Sequence, residues 1–343
     1  MRKYGLTLAA AIVAATAIGA GNAAADISIA TAGPMTGDYA AFGMQMQRGA
    51  EAAVADINAA GGVNGEMLVL EIGDDACDPK QATAVANDFV SKGVIFVAGH
   101  FCSGSSIPAS DVYIEEGILQ MTPASTNPAF TEGPAEKGVS TIFRTCGRDD
   151  QQGQFAGPWI AENFAGQNIA ILHDKSTYGK GIADLTKEQM NAAGLQEALY
   201  EAYTAGEQDY TALITKMKAA NINAIYLGGY HTEGALIVRQ AREQGLDAQL
   251  IGPDSLNTLE FVSIAGDSAE GVMFSNAAEA RNLPSAAEVV AKIREGGFEP
   301  EGYTLSTYAA IQVWAMAANE AGTTDPETVA ETLRSHDWDT VIG

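Results

Sequence analysis

The chain has 343 residues, 47% of them hydrophobic, with 43 acidic against 19 basic residues and a formal net charge of −24. Such a surface repels phosphate backbones and anionic membranes, which argues against nucleic acid as a partner. The length exceeds what one hydrophobic core usually serves, so two domains are expected, and the lack of a Pro- or Ser-rich linker means that they are joined by short connections.

Residues 1–25 read as a signal peptide. Arg2 and Lys3 form a basic start, Leu6 to Ile18 is an apolar, alanine-rich stretch too short for a comfortable membrane span, and Ala23-Ala24-Ala25 is a small-residue cleavage site. Cleavage after Ala25 leaves Asp26 as the mature start of an exported protein. Beyond it strands and helices alternate. Strands are predicted at 27–30, 67–73, 94–98 and 118–121, and helices at 43–60, from Pro79 through Phe89, and at 105–116. The pattern restarts near Arg148. Helices at 152–164, 180–193, 210–219 and 233–244 alternate with strands at 168–173, 199–203, 224–228 and 249–252. A further strand is read at 271–276 and helices at 292–295 and 307–321. This alternation predicts two doubly wound α/β lobes, each a parallel sheet covered by helices on both faces.

Ligands of open α/β sheets collect outside the carboxyl ends of strands. Two predicted strands end there in small hydroxylated turns, Gly99-His100-Phe101-Cys102-Ser103-Gly104-Ser105-Ser106 and Pro123-Ala124-Ser125-Thr126. Exposed backbone N–H groups and a helix N-terminus in such turns suit a carboxylate. In the second unit the strand ends carry Asp174 to Gly179, Gly229-Tyr230-His231 and Pro253-Asp254-Ser255. Two tyrosines, Tyr178 and Tyr230, thus gather with Asp254, a partner for a cation. Taken alone, these residues fit edge packing and a capped turn equally well. Together, one unit offers donors for a carboxylate and the other a carboxylate for an ammonium, the chemistry of a receptor that closes two lobes on an amino acid.

Of the three cysteines, Cys77 and Cys102 each follow a predicted strand, and adjacent parallel strands would bring these ends together as a disulfide; Cys146 is read as a buried free thiol. No metal site is expected: the four histidines lack metalloprotease spacing, and the disulfide would consume Cys102 beside His100. The only G-x-G-x-x-A match, at Gly19, lies in the leader, and there is no Walker A loop or G-x-S-x-G elbow, so no cofactor is expected.

The motifs Gly33-Pro34-Met35-Thr36-Gly37, Ala55-Asp56-Ile57-Asn58, Cys77-Asp78-Pro79-Lys80-Gln81, Gly99-His100-Phe101-Cys102-Ser103, Pro123-Ala124-Ser125-Thr126, Tyr178-Gly179 and Gly228-Gly229-Tyr230-His231 run in order through the mature chain. In these the chain resembles the leucine/isoleucine/valine-binding proteins of bacterial ABC importers. The resemblance implies a type I periplasmic-binding fold with a three-stranded hinge, in which residues 26–145 and 272–343 form one lobe and 146–271 the other. It also implies a location in the periplasm, a membrane permease as partner, and a disulfide between Cys77 and Cys102. Ser103, Ala124 and Thr126, with Ser125 in the same turn, are expected to hold the α-carboxylate and part of the ammonium. Tyr178 and Tyr230 are expected to close from the second lobe, and Phe42 and Tyr303 to line the side-chain end. Asp254 falls where leucine-specific relatives carry a glutamate that receives the ammonium, and is one methylene shorter. Relatives continue beyond Gly343 through a third hinge crossing, so the resemblance implies that the sequence as given is truncated.

The expected function is the exported, non-enzymatic binding component of an importer for branched-chain amino acids. The rival readings are the same fold with another small amino acid, an aliphatic amide or a carboxylic acid, and a sensory receptor module. An enzyme would need a nucleophile–base pair, and Cys146 has no histidine neighbour in the predicted layout.

Overall fold

The computed structural model describes residues 26–343; the predicted leader lies outside the described residues. The first lobe begins with β1 (Ile27–Gly33), α1 (Ala40–Ala59), β2 (Leu68–Asp74), α2 (Pro79–Ser91), β3 (Phe96–Gly99), α3 (Ser103–Glu115), β4 (Leu119–Thr122), α4 (Ala129–Glu136) and β5 (Ile142–Arg144). The second lobe follows with α5 (Asp149–Asn163), β6 (Ile169–His173), α6 (Thr177–Ala192), β7 (Leu199–Ala202), α7 (Thr211–Ala219), β8 (Ala224–Gly228), α8 (His231–Glu243), β9 (Gln249–Gly252), α9 (Leu259–Ala265) and β10 (Met273–Phe274). The chain then returns to the first lobe with α10 (Ala287–Glu295), α11 (Thr304–Ala321) and α12 (Pro326–Leu333). Each lobe is built on a parallel five-stranded sheet, in the orders β2-β1-β3-β4-β5 and β10-β9-β8-β6-β7.

Burial on both faces explains why the inner strands are continuous apolar runs rather than alternating ones. All residues of β3, β6 and β8 are buried, whereas β2, at a sheet edge, exposes Val69 and Ile72. Local signals start the helices. Asp78 caps α2 by accepting from the amides of Lys80 and Gln81, with Pro79 at the first helical position, and Ser176 caps α6 through the Gly179 amide. One face of the first sheet packs on α1 and α11, with Trp314 stacked on Phe96 at 4.7 Å between ring centroids. The other face packs on α2 and α3 around Phe89 and Tyr113. A third apolar cluster crosses between the lobes, joining Phe42, Phe101 and Ala124 to Tyr178, Ile182 and Tyr230.

Two details differ from the sequence reading. Residues 272–343 were expected to return as a block to the first lobe, but Met273 and Phe274 pair in parallel with Ile251 and Gly252 of the second sheet. The crossing back therefore follows Phe274, because the last ladder position next to β9 is filled before the chain leaves. The described residues contain two crossings between the sheets, one after β5 and one after β10. Secondly, Cys77 and Cys102 are bonded, with Cα atoms 5.5 Å apart, although their strands are not neighbours. β1 lies between β2 and β3, and the bridge passes over its carboxyl end.

That bridge closes a 25-residue separation directly behind the turn that carries Ser103. Replacing both cysteines by serine is expected to lower the unfolding free energy by about 3 kcal/mol through chain entropy. Chemical denaturation under non-reducing conditions checks this, and an unchanged midpoint would contradict it.

Candidate functional site

The cleft is assembled from strand ends of both lobes. On the first-lobe side, Ser103 opens α3, and the Ala124–Thr126 turn follows β4. Among the described residues the amides of Ser103 and Thr126 have no acceptor, and the buried Thr126 hydroxyl faces the Asp149 carboxylate. These amides, with the N-terminus of a 13-residue helix, form an anion-accepting surface. Ser103 Oγ accepts from the Asn127 amide at 3.3 Å, which ties the two turns together.

Ser125 does not face the cleft. Its hydroxyl is spent behind the turn, donating to the Phe101 carbonyl at 2.8 Å and lying 2.6 Å from Ser106 Oγ. A second anchor, unread in the sequence, is Arg144 at the end of β5. Its guanidinium donates to the carbonyls of Ser125 and Asn127 at 3.1 and 2.9 Å. A lone arginine on a three-residue strand gives no pattern that would single it out.

From the second lobe, Tyr178, Tyr230 and Asp254 come together as expected. Gly229 shapes this edge: a Cβ there would meet the Tyr203 hydroxyl at 1.8 Å, and only a residue without one lets β8 turn and aim Tyr230 at the first lobe. Tyr230 donates to Cys102 Sγ at 3.1 Å across the lobe interface. Asp254 accepts from Gln152 Nε2 at 2.8 Å and from the Tyr178 hydroxyl at 3.0 Å on one oxygen, and from the Tyr303 hydroxyl at 2.6 Å on the other. All three donors are neutral. Tyr303 reaches across from the start of α11, with its ring edge on Phe42 and Phe101. Phe42 itself stands behind, stacked on Phe101 at 4.6 Å, and does not line the cavity.

Asp149, at the start of α5, is singled out by no sequence signal and lines neither the cavity nor the groove between the lobes. It is fully buried, and among the described residues the polar group its carboxylate faces is the Thr126 hydroxyl, without a well-formed hydrogen bond. Burial pushes its carboxyl up to about 7; the neighbouring Thr126 hydroxyl opposes the rise and the Asp254 carboxylate adds to it. An aspartate in the first turn of a predicted helix reads as an ordinary capping residue, and nothing in the local sequence marks it as buried. Cys146 is free and beside the Ser125 carbonyl; contrary to the expected buried thiol it is half-buried and lines the groove, and desolvation pushes its thiol up to about 12.

The lobes meet around a cavity of only about 10 Å³, lined by Phe101, Ser103, Ala124, Tyr178, Tyr230, Ser255 and Tyr303. A groove of about 440 Å³ adjoins it on the hinge side, reaching Thr126, Gln152, Asp254 and Tyr303. Among the described residues no cluster of three or more His, Cys, Asp or Glu is placed to hold a metal ion, and no helix is long and apolar enough to cross a membrane.

Residues 26–343 match the family model described as periplasmic binding protein. The chain is 48% identical to the Leu/Ile/Val-binding protein homolog 1 of Brucella suis, over all of this chain and 91% of that one. It is 44% identical to the leucine-, isoleucine-, valine-, threonine-, and alanine-binding protein of Pseudomonas aeruginosa, over 94% of this chain and 85% of the relative. Among solved structures it is similar to the branched-chain amino acid transporter substrate binding protein of Streptococcus pneumoniae in complex with isoleucine. The TM-score is 0.83 at 28% identity, covering 93% of this chain and 90% of the other.

Asp149 sets a pH dependence of stability. A carboxyl whose folded-state pKa is raised to about 7 costs stability fully above that pH, and the cost vanishes as pH falls to the unfolded value of about 3.9. Asp149→Asn is expected to stabilise the ligand-free protein by about 2–4 kcal/mol at pH 8, with the gain gone by about pH 4. Urea titrations at the two pH values check this; equal stability at pH 8 would show that the carboxylate is hydrated.

Proposed function

This chain belongs to the periplasmic binding protein family, and from that premise we propose that it is the substrate-binding component of an ABC amino-acid importer that takes branched-chain amino acids between its two lobes. The observation that carries the reading is the polarity of the cleft. Amides of Ser103 and Thr126 without an acceptor among the described residues stand on one side and the Asp254 carboxylate on the other, with Asp149 buried beside Thr126. A zwitterion held on one carbon carries the complementary charges. Ser103 and Thr126 hold the ligand carboxylate, and the Ala124 carbonyl and Asp254 receive the ammonium. Asp149 is a second negative charge that the ammonium neutralises. Tyr178, Tyr230, Phe101 and Tyr303 supply the walls for the side chain, with Phe42 supporting Phe101 and Tyr303 from behind.

The protein acts by closure and not by catalysis. Binding joins lobes that otherwise part, and the closed form is what a membrane permease reads. This requires export to the periplasm, with the leader cleaved after Ala25. A second reading, the same cleft holding a smaller neutral amino acid, is favoured by the narrow cavity between four aromatic rings. It is also supported by the P. aeruginosa relative, whose name includes threonine and alanine.

The side-chain preference follows from the same charges. A second ligand carboxylate would enter a site that holds Asp254, where Arg144 is already bound to two carbonyls and Arg148, on the groove wall, is paired with Glu132 and Asp150. Burying it unpaired is costly, whereas an aliphatic chain gains about 0.8 kcal/mol per buried CH₂. Leucine, isoleucine or valine is expected to bind at least tenfold more tightly than glutamate or aspartate. Competition calorimetry on the mature protein decides it: tighter binding of an acidic amino acid rules out this ligand assignment, and preference for alanine or threonine over the branched chains selects the second reading.

A further inference from the structure

The lobes are also joined at a place where no ligand contact is expected. The turn between β1 and α1 ends in Asp38 and Tyr39, residues that no sequence motif singles out. Thr232 Oγ1 donates to the Asp38 carbonyl at 3.1 Å. The Tyr39 hydroxyl lies 3.4 and 3.5 Å from the two carboxylate oxygens of Glu233. Thr232 and Glu233 both stand in the first turn of α8, in the second lobe. The Tyr39 ring lies against Tyr230 with centroids 4.4 Å apart, and Tyr230 lies against Tyr178 at 5.1 Å. Tyr230 and Tyr178 line the small cavity; Tyr39 does not.

Glu233 is 1% exposed, and inside its own lobe it accepts a single bond, from the Gly206 amide at 2.9 Å. Burial raises its carboxyl above the ordinary range, and Asp174 and Asp38 raise it further. Burial likewise raises the Tyr39 hydroxyl, which therefore stays protonated and able to donate. Docking of Tyr39 offsets part of the cost of burying this carboxylate. When the lobes part, Tyr39 leaves, the Asp38 carbonyl loses Thr232, and water reaches Glu233. These bonds exist in one of the two conformations only, so they shift the balance toward it by their full differential free energy.

We propose that Asp38, Tyr39, Thr232 and Glu233 form a closure latch at the rim of the lobe interface, in which Tyr39 is a positioning residue that holds Tyr230 over the bound ligand and sets how long the ligand stays. The latch adds nothing to the encounter, which happens on separated lobes, and acts on release. Its strength is independent of the ligand's side chain, because none of its four residues lines the cavity.

Tyr39→Phe and Thr232→Val each remove one hydrogen bond between the lobes and leave the cavity lining unchanged. Stopped-flow measurements with leucine as the probe are expected to show dissociation faster by about fivefold in each variant and about twentyfold in the double variant, with association within about twofold of the parent. Tyr39→Ala, which also removes the ring beside Tyr230, should exceed Tyr39→Phe. The melting temperature of the ligand-free variants should match that of the parent. Unchanged dissociation in the double variant overturns the latch, as does a ligand-free melting temperature lowered along with binding, which would mark an ordinary structural contact. The ratio of variant to parent can be read with any amino acid that the parent binds. A parent that ignores leucine therefore counts against the ligand proposed above and leaves the latch to be decided by that ratio.

Discussion

The cleft buries negative charge that the protein does not neutralise. Asp149 is enclosed with no charged partner among the described residues and only the Thr126 hydroxyl facing it, and Asp254 is held by three neutral donors. The nearby guanidinium of Arg144 is committed to the backbone of a turn. In low dielectric such an arrangement is unfavourable until a positive charge arrives. In the proposed complex an ammonium supplies it, and the amides of Ser103 and Thr126 receive the ligand carboxylate. The site is thus destabilised in a form that one kind of molecule corrects, and the correction is available only when both lobes face it. Binding and closure become one event.

The scaffold keeps the two halves of this site stiff. The disulfide fixes the turn before α3 from below. The His100 carbonyl accepts from Ser106 and Thr122, so the turns after β3 and β4 share one anchor. Behind it the His100 ring sits between Asp75 and Tyr113, at 2.6 and 2.9 Å, with no exposure of the ring to solvent. Each lobe is therefore a preorganised half-site, and the free energy of binding need not order loops before it moves lobes.

Much of this was legible in the sequence, for physical reasons that differ between its parts. The β/α alternation is written in long apolar periodicities, and every strand but β5, with the helices α1 to α3, α5 to α8 and α11, is read from it. The reading misses α4, α9, α12 and β5 and gives only 292–295 of α10: α4 carries Gly133 and Pro134 and β5 has three residues, so neither presents a period, whereas α12 had the signals of Asp325 as cap and Pro326 at its start. The disulfide was expected for a partly mistaken reason, since β1 separates the strands that were taken as neighbours. At the site, Ser103, Thr126, Tyr178, Tyr230, Asp254 and Tyr303 stand together, because strand ends of a parallel sheet converge by construction. Ser125 and Phe42 occupy supporting positions that sequence cannot separate from lining ones. Asp149, Arg144 and Tyr39 were invisible, since the meaning of each depends on burial against a segment distant in the chain.

Proton exchange on binding tests the central claim most directly. Calorimetric titration with leucine at pH 7, in buffers of different ionisation enthalpy, counts the protons that move. If the ligand ammonium neutralises the buried pair, an Asp149 carboxyl with a pKa of about 7 is half protonated in the free protein and ionised in the complex. About half a proton is then released per ligand at pH 7 and almost none at pH 9, and the release vanishes in Asp149→Asn. Binding that moves no protons at pH 7, or a release that survives that substitution, would mean that the ammonium is held without this pair.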